Sequence, residues 1–367
     1  MPFDTAPFYA GSIIEDPRYF VGYKEQLETI TNRAVSAQPT SINVVGRDRI
    51  GKSSLLFHFC QTYEERITSR EQNPQNYLAI YLSLQRGDCQ EKENFYKVVT
   101  AGLRKILKQR YDWFRKPRKL LQALEQDSFD TSNFYQAIAQ FKEAGILPII
   151  CLDNIEALFQ NPQEFDNSFY DNLRSLMDSN TLMLVIASEK NLQVYSEKKQ
   201  LTSSFFNLGQ VIVLSGLSDG EARDLVSLPK GKFPDAEAVL NEQEQKTALE
   251  WGGRNPYLLQ LAGLYLWEAK QTSKDINWAK SEFDRHAKKI SPHHSWKQRF
   301  ALGLKFIFVE LPKKLGSGIQ SIGNHLDQLA AWAMGVGIIV IFIQFIFGLS
   351  SVQDFIDFIN NALGLGK

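Results

Sequence analysis

The chain has 367 residues, 44% of them hydrophobic, which is length enough for one large domain or two ordinary ones with a buried core. Lysine plus arginine (41) equals aspartate plus glutamate (41), so the chain as a whole lacks the charge excess of a polyanion-binding protein. Cys60, Cys89 and Cys151 show no paired or metal-like spacing, which excludes a disulfide framework and fits a reducing cytosol.

The first dozen residues read as irregular, and no basic region followed by an apolar stretch marks a signal peptide. A helix follows, with Leu27, Ile30 and Ala34 on one face. Residues 42–45 form a short apolar strand ending in Gly46-Arg47-Asp48-Arg49-Ile50-Gly51-Lys52-Ser53, and an amphipathic helix starts at Ser54 and runs to about Ser69. This is strand, loop, helix with the spacing G-x-x-x-x-G-K-S. Gly46 and Gly51 let the loop turn its N–H groups inward, from Arg49 and Ile50 to Ser54, around a polyphosphate. The helix N-terminus adds partial positive charge. Lys52 then reaches the β- and γ-phosphates of ATP, and the Ser53 hydroxyl ligates Mg²⁺.

Residues 77–84 make a second strand, apolar enough to be buried on both faces. A helix over 93–107 leads into a basic stretch with Tyr111, Trp113 and Phe114 interleaved. Nucleic acid could bind there, but a solvated helix end with a loop broken at Pro117 is favoured. After a helix over 131–145, a third strand over 146–153 ends in Asp153, placed as a Mg²⁺-organising acid. The next position, where a water-activating glutamate often stands, is Asn154, which orients water but accepts no proton. Glu156 is the best available base. A helix over 164–178 carries Arg174, a candidate sensor. The fourth strand, 181–187, ends at Ser188, which reads equally as a γ-phosphate sensor or as a capping serine. A fifth strand covers 211–214.

From Ser218, which with Glu221 forms a capping box, only helical patterns continue to about residue 290. They include Gly252-Gly253-Arg254-Asn255-Pro256, a helix end followed by a proline-started helix. A basic segment precedes an uncharged run over 329–349, long enough to cross about 30 Å of hydrocarbon. Lysine and arginine before this run outnumber the single Lys367 after it, which keeps the N-terminal part cytoplasmic.

Four pieces of the chain resemble the STAND class of signalling ATPases within the AAA-like P-loop group. They are YFVGYKEQLETI before the loop, GRDRIGKSSLL, LPIICLDNIEAL, and LSGLSDGEARDL with GGRNPYLLQLAG. The resemblance implies that Tyr19 to Gly22 border an adenine pocket and that Pro256 approaches the base and β-phosphate. It also implies a nucleotide-dependent switch that oligomerises when active. Two departures stand out: Tyr23 replaces the family's arginine after F-V-G, and Asp153-Asn154 replaces the usual acid pair.

The expected fold is a parallel five-stranded α/β P-loop sheet with helices on both faces, an all-helical lid and a C-terminal transmembrane helix. The expected divisions are a leading segment and helix (1–40), the P-loop core (41–216), the lid (217–290), a basic juxtamembrane linker (291–328), a transmembrane helix (329–350) and an amphipathic tail (351–367). The expected function is a membrane-anchored, single-pass ATP switch of weak hydrolysis, a homo-oligomer when active, answering a protein trigger. A motor acting on nucleic acid and a non-hydrolysing membrane scaffold are the alternatives.

Overall fold

The computed structural model describes residues 6–288, apart from 86, 115, 127–128 and 233–234. The described residues belong to one compact unit, Met1–Ile290. The five expected strands are present: β1 (Ile42–Val45), β2 (Tyr77–Ser83), β3 (Leu147–Asp153), β4 (Met183–Ser188) and β5 (Gln210–Val213). All pair in parallel, in the order β2-β3-β4-β1-β5. Registers such as Val45↔Ser188 and Ser83↔Asp153 bring the strand C-termini out along one rim.

Strands β2, β3 and β4 read as continuous apolar runs because both faces are covered, whereas the edge strand β5 leaves Val211 and Val213 exposed. In β4, Met183, Val185 and Ala187 enter one core, while Leu184 and Ile186 enter the other. The first core is completed by α1 (Lys24–Ala34) and α2 (Lys52–Thr68), and the second by α3 (Lys92–Gln109), α4 (Pro117–Ala123), α5 (Thr131–Glu143) and α6 (Asn167–Asp178). Each fully covered Leu, Ile or Phe contributes roughly 1.5–3 kcal/mol, so the alternation along each strand fixes which helices lie on which side.

Several boundaries differ from the sequence reading for local reasons. Helix α2 starts at Lys52, two residues early, because the positive φ of Gly51 (+97°) already turns the chain into it. Helix α6 starts at Asn167, where the Asp166 side chain accepts the Phe169 N–H. The loop after α3 ends at Pro117, which opens the first turn of α4. Between β4 and β5 lies a helix the sequence pattern did not show, α7 (Leu192–Lys199), too short to display a clear apolar stripe.

The lid is all-helical as expected: α8 (Asp219–Val226), α9 (Glu242–Gly252), α10 (Pro256–Gln271) and α11 (Ile276–Ala287). The Ser218–Glu221 capping box is formed, and a second one, Asn241–Glu244, opens α9. Leu225, Leu259 and Leu266 join the same core as α1 and α2, so the lid packs on that side. No described helix is long and apolar enough to cross a membrane. The expected linker, transmembrane helix and tail, 291–367, lie outside the described residues.

Candidate nucleotide-binding site

The C-terminal rim of the sheet is where a parallel α/β fold leaves room for a ligand. Here it borders a cavity of about 420 Å³ reached by β2, β3, the loop after β1, the lid and the N-terminal segment. The loop after β1 is held tightly. Gly46 donates to the Ser188 carbonyl at 3.1 Å, and a Cβ at Gly46 would sit 2.7 Å from Ile50 Cγ2, so this glycine is needed for room and Ile50 for packing. Gly51 is needed for its conformation, φ +97°. Arg49 also adopts a left-handed conformation, φ 57°. The Lys52 ammonium curls back over the loop, donating to the carbonyls of Gly46 (2.8 Å) and Arg47 (3.0 Å) and keeping one N–H for an anion. Ser53 and Ser54 follow in the first turn of α2, whose N–H groups have no partners within the helix.

Asp153 ends β3 buried, at 1% exposure, yet it lines the cavity. Its Oδ1 accepts the Asn154 N–H at 3.0 Å and its Oδ2 accepts the Tyr81 hydroxyl at 2.8 Å. Burial, followed by the neighbouring Asp153 carboxylate, pushes the Tyr81 phenol far above its ordinary range, so it stays a donor. Asp153 and Ser53 together offer the hard oxygen donors that suit Mg²⁺ completed by phosphate and water. No group of three His, Cys, Asp or Glu among the described residues would hold a metal by itself.

Five expected site residues do not line the cavity: Gly46 and Ile50, which serve the packing of the loop, and Glu156, Ser188 and Arg174. Asn154 takes a left-handed conformation (φ 58°) and sends the chain into a short 3-10 turn, Ile155–Gln160. There Glu156 Oε1 accepts the Tyr195 hydroxyl (2.8 Å) and the Glu189 N–H (2.6 Å), so it is committed away from the lining. Ser188 is fully buried: its hydroxyl donates to the Lys190 carbonyl and accepts from Asn43 Nδ2, both at 2.7 Å, while the cap of α7 is Asn191. Arg174 pairs with Asp178 one turn on and donates to the Asn207 carbonyl, outside the cavity of its own chain. Those gathered at the cavity are Arg49, Gly51, Lys52, Ser53, Ser54, Asp153, Asn154 and Pro256.

The far end of the cavity was only partly legible. Phe20 and Val21 line it together with Ile14 and Leu225, which no local pattern singles out. The N-terminal segment crosses from α2 to α10: Ile14 donates to Ser54 Oγ (3.3 Å), Tyr9 donates to Gln260 Oε1 (2.9 Å), and Phe8 is buried against Gly263. Tyr23, at the departing position, donates through its hydroxyl to the carbonyls of Ile50 and Ser215, tying the P-loop to the start of the lid. Arg49 makes a second tie, donating to the Tyr257 hydroxyl at 2.8 Å and lying over that ring. Local spacing signals neither contact.

Three basic residues of the basic–aromatic stretch are paired within the chain. Lys108 pairs with Glu125, Arg110 with Glu64 and Lys119 with Glu143, while Phe114 is buried. Tyr111 and Trp113 remain exposed.

With this geometry in place, comparison with known proteins is informative. A family model described as an AAA-like domain matches residues 8–298. Among solved structures, the chain is similar to a Walker-type ATPase of Pyrococcus abyssi, with 13% identity over 89% of this chain and 92% of that one, TM-score 0.51. It is also similar to the ORC2 protein of Aeropyrum pernix, solved in ADPNP–ADP complexes, with 12% identity over 72% and 69% of the two chains, TM-score 0.51. At such identities the likeness is one of fold. A search of curated protein sequences gave no match.

Proposed function

The chain belongs to the AAA-like domain family, and from that premise we propose that it is an ATP-binding switch of slow turnover. Lys52 and the first turn of α2 hold the phosphates, Ser53 and Asp153 hold Mg²⁺, and Pro256 brings the lid onto the same nucleotide. The observation that carries this reading is that one cavity is lined by both the P-loop and the lid, so nucleotide state and lid position are coupled.

Slow turnover follows from the same lining. Its carboxylates are Asp153, committed to the metal, and Asp48, an exposed side chain facing Arg49 at 3.9 Å. Asn154 and Gln85 supply amides, which orient water without taking its proton. In the STAND manner, a protein trigger frees the lid and protomers associate. The apolar run at 329–349 anchors the assembly, or acts as its effector, in a membrane with the ATPase part on the cytoplasmic side.

The test is Mg-ATP turnover by the full-length chain recovered from membranes, with Lys52→Ala as control. Expected are turnover well below about one per second, nucleotide retained through purification, and at least a hundredfold weaker binding in the variant. Turnover at ordinary enzyme rates, or a chain that leaves the membrane fraction on alkaline washing, would overturn the reading.

A further inference from the structure

Resting on that nucleotide reading, we infer that Gln260 recognises the base: its side-chain amide donates to a ring nitrogen of adenine. Gln260 follows Pro256 by four residues on α10, so both project from one helix face, and both line the cavity. It is 3% exposed and lies between the buried Leu259 and Leu261, where a polar side chain has to be justified by a partner. Half of the amide is accounted for. Oε1 accepts the Tyr9 N–H at 2.9 Å, and because a backbone N–H can only donate, this bond fixes which way the amide faces.

The other half is not accounted for. Nε2 is buried and has no hydrogen-bond partner among the described residues. An unmet buried donor costs about 1–3 kcal/mol, a cost that an acceptor in the cavity would remove. The neighbouring walls are flat or apolar, with Phe20, Val21, Ile14 and Leu225, which suits the faces of a heterocycle and leaves orientation to a few polar groups. Adenine presents N1, N3 and N7 as acceptors and has no ring N–H at neutral pH. Guanine turns N1–H and its exocyclic amine toward any donor that meets its Watson–Crick edge, so an amide donor there discriminates against it.

The experiment measures binding of ATP and of tripolyphosphate, which lacks base and sugar, to the full-length chain and to Gln260→Glu. Glutamate keeps an acceptor for the Tyr9 N–H and the shape of the side chain but removes the donor. ATP affinity is expected to fall at least tenfold, with tripolyphosphate unchanged. In a second arm that needs no substitution, 1-deaza-, 3-deaza- and 7-deaza-ATP are compared on the wild type. One of the three is expected to bind about tenfold more weakly than ATP, and that deficit is expected to vanish in Gln260→Glu. ATP binding unaffected by Gln260→Glu, or three deaza analogues that all match ATP, would overturn the inference alone. A wild type that binds neither ATP nor tripolyphosphate would remove the nucleotide reading and this inference with it.

Discussion

The two ends of the cavity are built in different ways. At the phosphate end, Gly51, Lys52, Ser53 and Asp153 hang directly from β1, β3 and the first turn of α2. Strand pairing and both hydrophobic cores fix their positions before any ligand arrives. The base end is assembled from four separated pieces: the N-terminal segment, Phe20 and Val21, Leu225 of α8, and Pro256 to Gln260 of α10. Single contacts hold these together, such as Tyr9 to Gln260 and Ile14 to Ser54. On the proposed reading, anchoring phosphates falls to the rigid scaffold, and responding to the nucleotide falls to parts that cooperate only while they touch.

The sharpest way to separate the two ends is Phe8→Ala. Phe8 is 4% exposed and packs against Gly263 of α10, so truncation opens a void beneath the N-terminal segment. The cost is about 3 kcal/mol in urea unfolding. ATP affinity should drop while tripolyphosphate affinity holds, because Lys52 and the loop are untouched. An equal loss for both ligands would mean that the two ends are one unit.

The same contrast explains what was legible in the sequence. The phosphate end is local: loop residues 46–53 are contiguous, and Asp153 is marked by the apolar run before it. The sheet was legible too, since β2, β3 and β4 are covered on both faces and read as unbroken apolar runs. Tyr81 was missed because a tyrosine inside an apolar strand looks like packing until its hydroxyl is seen on Asp153. Gln260 and Tyr9 were missed because their contact joins residues 251 positions apart. Glu156 misled because two residues of spacing carry no direction; the left-handed Asn154 decides where that carboxylate goes.

A second probe sits where the two ends meet. The His58 ring, on α2, stacks on Phe20 with centroids 4.1 Å apart. Burial first, then Arg66 and Lys232, lower its pKa from 6.5 to about 4. Arg66 lies on the same helix with its guanidinium 3.4 Å from Nε2, and Lys232 reaches in from the lid side to the Phe20 carbonyl. The unfolded chain takes up this proton near pH 6.5 and the folded chain only near pH 4. The contribution of neutral His58 is thus full above pH 6.5 and is lost as pH falls toward 4. The urea midpoint of the wild type should fall more between pH 7 and pH 5 than that of His58→Gln. Equal pH slopes would show that this junction is open to water and not packed.

The smallest effect tests whether the rigid end holds anything in reserve. Glu156 lies three residues past Asp153 but does not line the cavity, and two donors hold it away. Tyr195→Phe removes the hydroxyl and leaves only the Glu189 N–H, while the ring can keep its stack on Phe159. If slow turnover reflects a restrained base, ATP hydrolysis should rise about threefold, roughly 0.7 kcal/mol of barrier, and adding Glu156→Gln should cancel the rise. Unchanged turnover, with stability lower by about 1 kcal/mol, would make Glu156 a brace for the loop after β4. The phosphate end would then hold ATP through Lys52, Ser53 and Asp153 and orient the water with the Asn154 and Gln85 amides alone.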